Sequence, residues 1–76
     1  MLEVLFDELA EEQRKKLMAF GRVLVPGLTA DDLLQPNDFP ILDNHLHFRY
    51  EEGVLEGILT ARMAYLSWKK DQEKEE

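Results

Sequence analysis

The dipeptide Pro26-Gly27 stands between two stretches of helical periodicity and forbids one continuous helix. Proline has no N–H to give the helical ladder, and its ring clashes with the preceding turn. Before the break, Leu2, Leu5, Phe6, Leu9, Leu17, Phe20, Val23 and Leu24 fall on one arc at about 100° per residue. Glu3, Asp7, Glu11 and Arg14 project to the opposite side. Early acids and the later Arg14, Lys15, Lys16 and Arg22 suit the helix dipole. This pattern predicts a first helix over about 2–24, closed by Pro26 with Gly27 as a left-handed cap.

Residues 26–44 are too apolar for a free linker, since they contain Leu28, Leu33, Leu34, Phe39, Ile41 and Leu42. They are expected to form an ordered elbow pinned against the helices. Thr29-Ala30-Asp31-Asp32 has the spacing of a capping box, with Asp in place of Glu, and predicts a short helical turn through Leu34. Gln35 to Pro40 carries two prolines and is expected to run extended. Asp43 or Asn44 then caps a second helix over about 45–70, and the acidic tail 71–76 is expected to fray. The chain therefore reads as a single helical domain over 1–70, all-α, built as a two-helix antiparallel hairpin.

The second helix is apolar around about two-thirds of its circumference, whereas a one-sided surface helix shows a stripe of roughly 100°. Tyr50, Val54, Ile58, Tyr65 and Trp68 share one side, with Gly53, Gly57, Ala61 and Ala64 at its edge. Phe48, Leu55, Leu59 and Leu66 form a second stripe, and Glu51, Arg62 and Lys69 separate the two. One first helix cannot cover both. Either the elbow packs over the second stripe or a second copy does so, giving a dimeric four-helix bundle. A chain of 76 residues with no cysteine has neither the size nor the disulfides for a large stability margin, which favours the dimer. The expected interface is Phe48, Leu55, Leu59 and Leu66, with Gly57 and Ala61 admitting a close neighbour. Two glycines cost a helix about 2 kcal/mol, so something must pack closely on them; for Gly53 a ring of the same chain, Phe6 or Phe20, is the expected filler.

A net charge of −7, from 16 acidic and 9 basic residues, argues against nucleic acid and anionic membrane surfaces as partners. Arg14-Lys15-Lys16, flanked by Glu11 and Glu12, reads as a solvated helix face. No apolar run approaches the roughly 20 residues that span a bilayer. Acids at Glu3, Asp7 and Glu8 do not suit a secretory signal, and the expected location is cytoplasmic.

Chemistry is poorly supported. His45, His47, Glu51, Glu52 and Asp43 are the one constellation with metal or hydrolytic potential, and His47 and Glu51 share a face at i,i+4. The Glu-x-x-His pairs of a di-metal bundle are missing, and the two histidines point apart on a helix. Their expected role is hydrogen bonding to nearby acids at the helix start. Ser67 has no histidine near it in sequence, and no glycine-rich phosphate loop exists. The expected function is a non-catalytic protein–protein interaction module that self-associates, with no metal or cofactor. A second possibility is an acidic adaptor or chaperone covering an apolar helix of another protein. A third, from another class, is a metal-dependent or hydrolytic site near His45, His47 and Glu51.

Overall fold

The computed structural model describes the backbone of residues 1–74 and the side chains through Glu73. It is all-helical, with no strand among the described residues. Helix α1 spans Leu2–Leu24, a single turn α2 spans Pro40–Asp43, and α3 spans Leu46–Lys74. Two single-turn 3-10 helices, Asp32–Leu34 and Pro36–Asp38, lie between α1 and α2. Glu3 pairs with Lys69, Asp7 with Arg62 and Gln13 with Glu51, so α1 and α3 run antiparallel as a hairpin. The hairpin is a rod of 51 × 19 × 19 Å with a radius of gyration of 15.3 Å. A compact chain of this length would have a radius near 11 Å.

Helix α1 ends where Pro26 withholds an N–H. The last amide, Val25, reaches Gly21 O at 2.7 Å, and Leu28 N then closes a turn on Val25 O at 3.0 Å. Gly27 does not adopt the expected left-handed cap, because no glycine has a positive φ. The turn through Pro26 does that work in ordinary backbone conformations. The capping box forms in both directions: Thr29 N donates to Asp32 Oδ2 at 2.9 Å, and Asp32 N donates to Thr29 Oγ1 at 3.2 Å.

Gln35 to Pro40 does not run extended throughout. Pro36 starts a 3-10 turn, where its fixed φ fits and its missing N–H is no loss. Extension is confined to Phe39 (φ −117°, ψ 101°), the residue that Pro40 drives out of the helical region.

The start of α3 also differs from expectation. Neither Asp43 nor Asn44 caps it. Asn44 Nδ2 turns back to Pro40 O at 3.0 Å, and His45 Nδ1 accepts the amide of Phe48 at 3.2 Å. His45 thus occupies the N-cap position usually held by a short polar side chain. At its other end α3 continues four residues past the expected boundary, to Lys74. Asp71 to Lys74 contain no glycine or proline to stop the ladder. Residues 75 and 76 of the expected frayed tail lie outside the described residues.

The core is small and sits at the elbow end. Leu17 of α1, Leu28 and Leu42 of the elbow and Phe48 of α3 form one buried cluster, with Phe20, Leu33, Phe39 and Leu55 packed on it. Of the four glycines, Gly21 alone is closely approached. A Cβ there would lie 2.5 Å from Leu28 Cδ2 and 3.4 Å from Phe48 Cε2. The elbow is thus pinned through Leu28, Leu42 and Pro36, whereas Leu34 and Ile41 stay largely exposed.

Candidate interaction surfaces

Helix α1 docks on α3 along the polar seam between its two apolar stripes. Lys69 Nζ donates to Glu3 Oε1 at 2.8 Å, and Arg62 Nε donates to Asp7 Oδ1 at 2.8 Å. Gln13 Nε2 donates to Glu51 Oε2 at 2.7 Å and to Glu51 O at 2.9 Å. Glu3 and Asp7, projected above to the outer side of α1, therefore reach across to α3. Gln13 and Glu51 retain only 8% and 5% of their exposure, and each buried polar atom finds a partner.

Charge follows this geometry. The Gln13 amide holds the Glu51 carboxyl below the usual carboxylate range against the opposing effect of burial, with Lys16 and His47 adding to it. The hydrogen bond from Lys69 lowers the Glu3 carboxyl, and Glu3 in turn raises the Lys69 ammonium.

The histidine region is committed to packing and capping. The rings of His45 and His47 meet Phe20 edge-on, with centroids 5.2 and 4.5 Å away. His47 Nε2 lies 3.6 Å from Glu51 Oε1, the expected acid partner, whereas His45 bonds to backbone rather than to an acid. Asp43 and Glu52 turn to Arg49, at 3.4 and 3.1 Å. Among the described residues, no three His, Cys, Asp or Glu side chains converge on one point.

Because α1 sits on the seam, it leaves part of each stripe of α3 uncovered. On one side of the hairpin, Phe6 meets Tyr65 at 5.9 Å and Tyr65 meets Trp68 at 6.2 Å between ring centroids. Helical projection puts Leu2, Leu5 and Leu9 of α1 on this side, together with Tyr50, Val54, Gly57, Ala61 and Trp68 of α3. Leu2, Leu5 and Leu9 are each about half exposed, Tyr50 and Trp68 more so. The other side is an open trough of about 950 Å³ between α1, the elbow and α3. Met18, Leu33, Leu34, Leu55 and Leu59 form its apolar lining, with Glu11, Glu52, Glu56, Arg14, Arg22 and Arg49 around them.

The expected interface residues are divided between these surfaces. Phe48 is fully buried by its own chain, so it has no surface left to offer a partner. The elbow covers it, as it covers part of Leu55. Leu59 and Leu66 are half-buried, and Leu55 and Leu59 line the trough. Gly57 and Ala61 are exposed on the opposite side. The expectation that Phe6 or Phe20 fills a groove over Gly53 is overturned: a Cβ at Gly53 or Gly57 would meet nothing within 4 Å. The exposed leucines of α1 form the surface that sequence reasoning assigned to the hairpin core, and their clustering in the first nine residues was its visible signal. No helix is long and apolar enough to cross a membrane among the described residues. Comparisons with protein-family models, curated proteins and solved structures returned no match.

Proposed function

We propose that this protein is a non-catalytic helical interaction module that self-associates, two hairpins closing into a four-helix bundle. One observation carries the proposal. Leu2, Leu5 and Leu9 stand half exposed beside the open Gly57, Ala61 and Trp68 surface of α3, on one continuous side of the rod. The accessible surface of the chain is 5655 Å². A compact monomer of its mass would show about 4,800 Å². The difference is of the order that one partner buries in a standard interface, roughly 800 Å².

The interface differs from the one expected from sequence. It uses Gly57 and Ala61 but exchanges Phe48 and the Leu55–Leu59–Leu66 stripe for the leucines of α1. Sedimentation equilibrium over a range of concentrations tests the proposal, with a mass near twice the 8.9 kDa of one chain as the expected result. A cooperatively melting protein that keeps the single-chain mass throughout would overturn it.

A second reading rests on the trough. Its apolar floor of Met18, Leu33, Leu55 and Leu59 lies on the side away from Leu2, Leu5 and Leu9, and Glu11, Glu52 and Glu56 alternate around it with Arg14, Arg22 and Arg49. An amphipathic helix from another protein, with an apolar face and flanks of both charges, suits such a groove, which is the adaptor role. Leu59→Glu would abolish capture of such a helix while leaving self-association intact.

A further inference from the structure

We infer that the second copy packs with its two-fold axis parallel to the rod, so that α1 of each chain lies along α3 of the other. The inference rests on the self-association proposed above and assigns its geometry. The Glu3–Lys69 and Asp7–Arg62 pairs fix the levels of the two helices. They set Leu2 level with Trp68, Leu5 with Ala64 and Leu9 with Ala61. The three leucines lie about a quarter turn around α1 from Leu17, which faces the core. Ala61 and Trp68 lie about 100° and 120° around α3 from Arg62 on the seam, toward the same side of the hairpin, with Ala64 farther round at about 160°. A quarter turn between two neighbour directions is the geometry of a square four-helix bundle.

A two-fold parallel to the rod keeps every residue at its own level in the second copy. Leu9 of the second copy then rests on Ala61 and its Leu2 on Trp68, while its Leu5 meets Ala64 at the outer edge of the contact. Large side chains meet small ones at two levels, and the match occurs twice because the face is its own complement. The alanines of α3 are, in this arrangement, seats for the leucines of another chain. The competing two-fold, perpendicular to the rod and centred on α3 between Gly57 and Ala61, would bring Tyr50 against Trp68 of the second copy. It would also set Leu5 and Leu9 against Lys16 and Glu12 of the second copy, trading apolar contacts for polar ones.

The chain has no cysteine, so introduced thiols report proximity without background. Single-cysteine chains Leu9→Cys and Ala61→Cys, refolded together and oxidised, are expected to yield a disulfide-linked dimer that neither chain forms alone. Tyr50→Cys mixed with Trp68→Cys is expected to yield none, because those positions lie at opposite ends of the bundle. Linkage of the second pair in place of the first would establish the perpendicular two-fold and overturn this arrangement while leaving self-association standing. A dimer by sedimentation that neither pair links would overturn it as well. A single-chain mass at every concentration would overturn both the arrangement and the self-association beneath it.

Discussion

Gln13 of α1 grips Glu51 of α3 twice, donating to its carboxylate at 2.7 Å and to its backbone carbonyl at 2.9 Å. The contact lies near the elbow core and joins residues 38 positions apart in sequence. It fixes the height of one helix on the other at a point where an apolar pair would allow sliding. Further along the rod, Asp7–Arg62 and Glu3–Lys69 extend the same register. A seam of polar partners thus aligns α1 on α3, a helix whose apolar face is wide and undirected.

Removing one partner of the buried pair is therefore expected to cost more than removing both. Gln13→Leu leaves the Glu51 carboxylate desolvated with only the exposed Lys16 and His47 beside it, at 3.3 and 3.6 Å. The double variant Gln13→Leu/Glu51→Leu removes that unpaired charge and is expected to recover much of the loss. Thermal melts of the two single variants and the double variant check the order; a double variant no better than Gln13→Leu would show that the unpaired Glu51 carboxylate is not the source of the loss.

The same contacts give stability a pH dependence. Glu51 and Glu3 have folded-state values below their ordinary 4.5, so the unfolded chain takes up protons first as the pH falls. Their contribution is complete above that value and is lost as the pH drops through the lowered folded values. Lys69 is raised above 10.5, so its contribution is complete below that value and lost as the pH climbs through the raised one. Denaturation midpoints measured from pH 2 to 12 are expected to be flat near neutrality and to fall at both ends. Glu3→Gln should shrink the acid limb and also the part of the alkaline limb that Lys69 supplies, since Glu3 is the main cause of the raised ammonium.

Glycines on the two helices are expected to respond with opposite signs. A Cβ at Gly21 would stand 2.5 Å from Leu28 Cδ2. Leu28 has little room to retreat, because its side chain is buried and Arg22 Nε holds its carbonyl at 3.0 Å. Overpacking costs about 1–3 kcal/mol, against a helix gain of about 1 kcal/mol, so Gly21→Ala should lose up to about 2 kcal/mol. Gly53 is open, and Gly53→Ala should gain about 0.5–1 kcal/mol. Chemical denaturation of both variants decides this, and a stabilised Gly21→Ala would mean that Leu28 moves aside at little cost.

What could be read from the chain alone was its local chemistry. The periodicity of Leu2 to Leu24, the proline stop and the Thr29–Asp32 box each involve neighbours in sequence, and the hairpin itself follows from them. The direction in which α3 meets α1 was not legible, because a helix apolar around most of its girth has no single preferred side. The partners that choose the side, Glu51, Arg62 and Lys69, look like surface charges until Gln13, Asp7 and Glu3 are set opposite them. Gly21 escaped notice for a related reason. Its place on the buried arc, four residues after Leu17, was visible, but the approach of Leu28 depends on how the elbow turns back. His45 as a cap was hidden by Asp43 and Asn44, better capping residues that the turn at Pro40 draws away.

Self-association should be separable from folding by one charge placed on the open side. Ala61 is exposed in the hairpin, and glutamate is a good helix former, so Ala61→Glu should fold. In a bundle the same carboxylate would be buried against Leu9 of the second copy without a partner, a cost of several kcal/mol that must shift the equilibrium to single chains. Thr60→Glu places an equal charge one residue away on the polar back of α3, where it should change nothing beyond the added repulsion of net charge. Sedimentation equilibrium with circular dichroism on both variants separates the possibilities. Helical monomers from Ala61→Glu alone locate the contact on that side of α3. A dimer that survives Ala61→Glu places it elsewhere, and equal dissociation by both variants would make net charge, not the Ala61 surface, the cause.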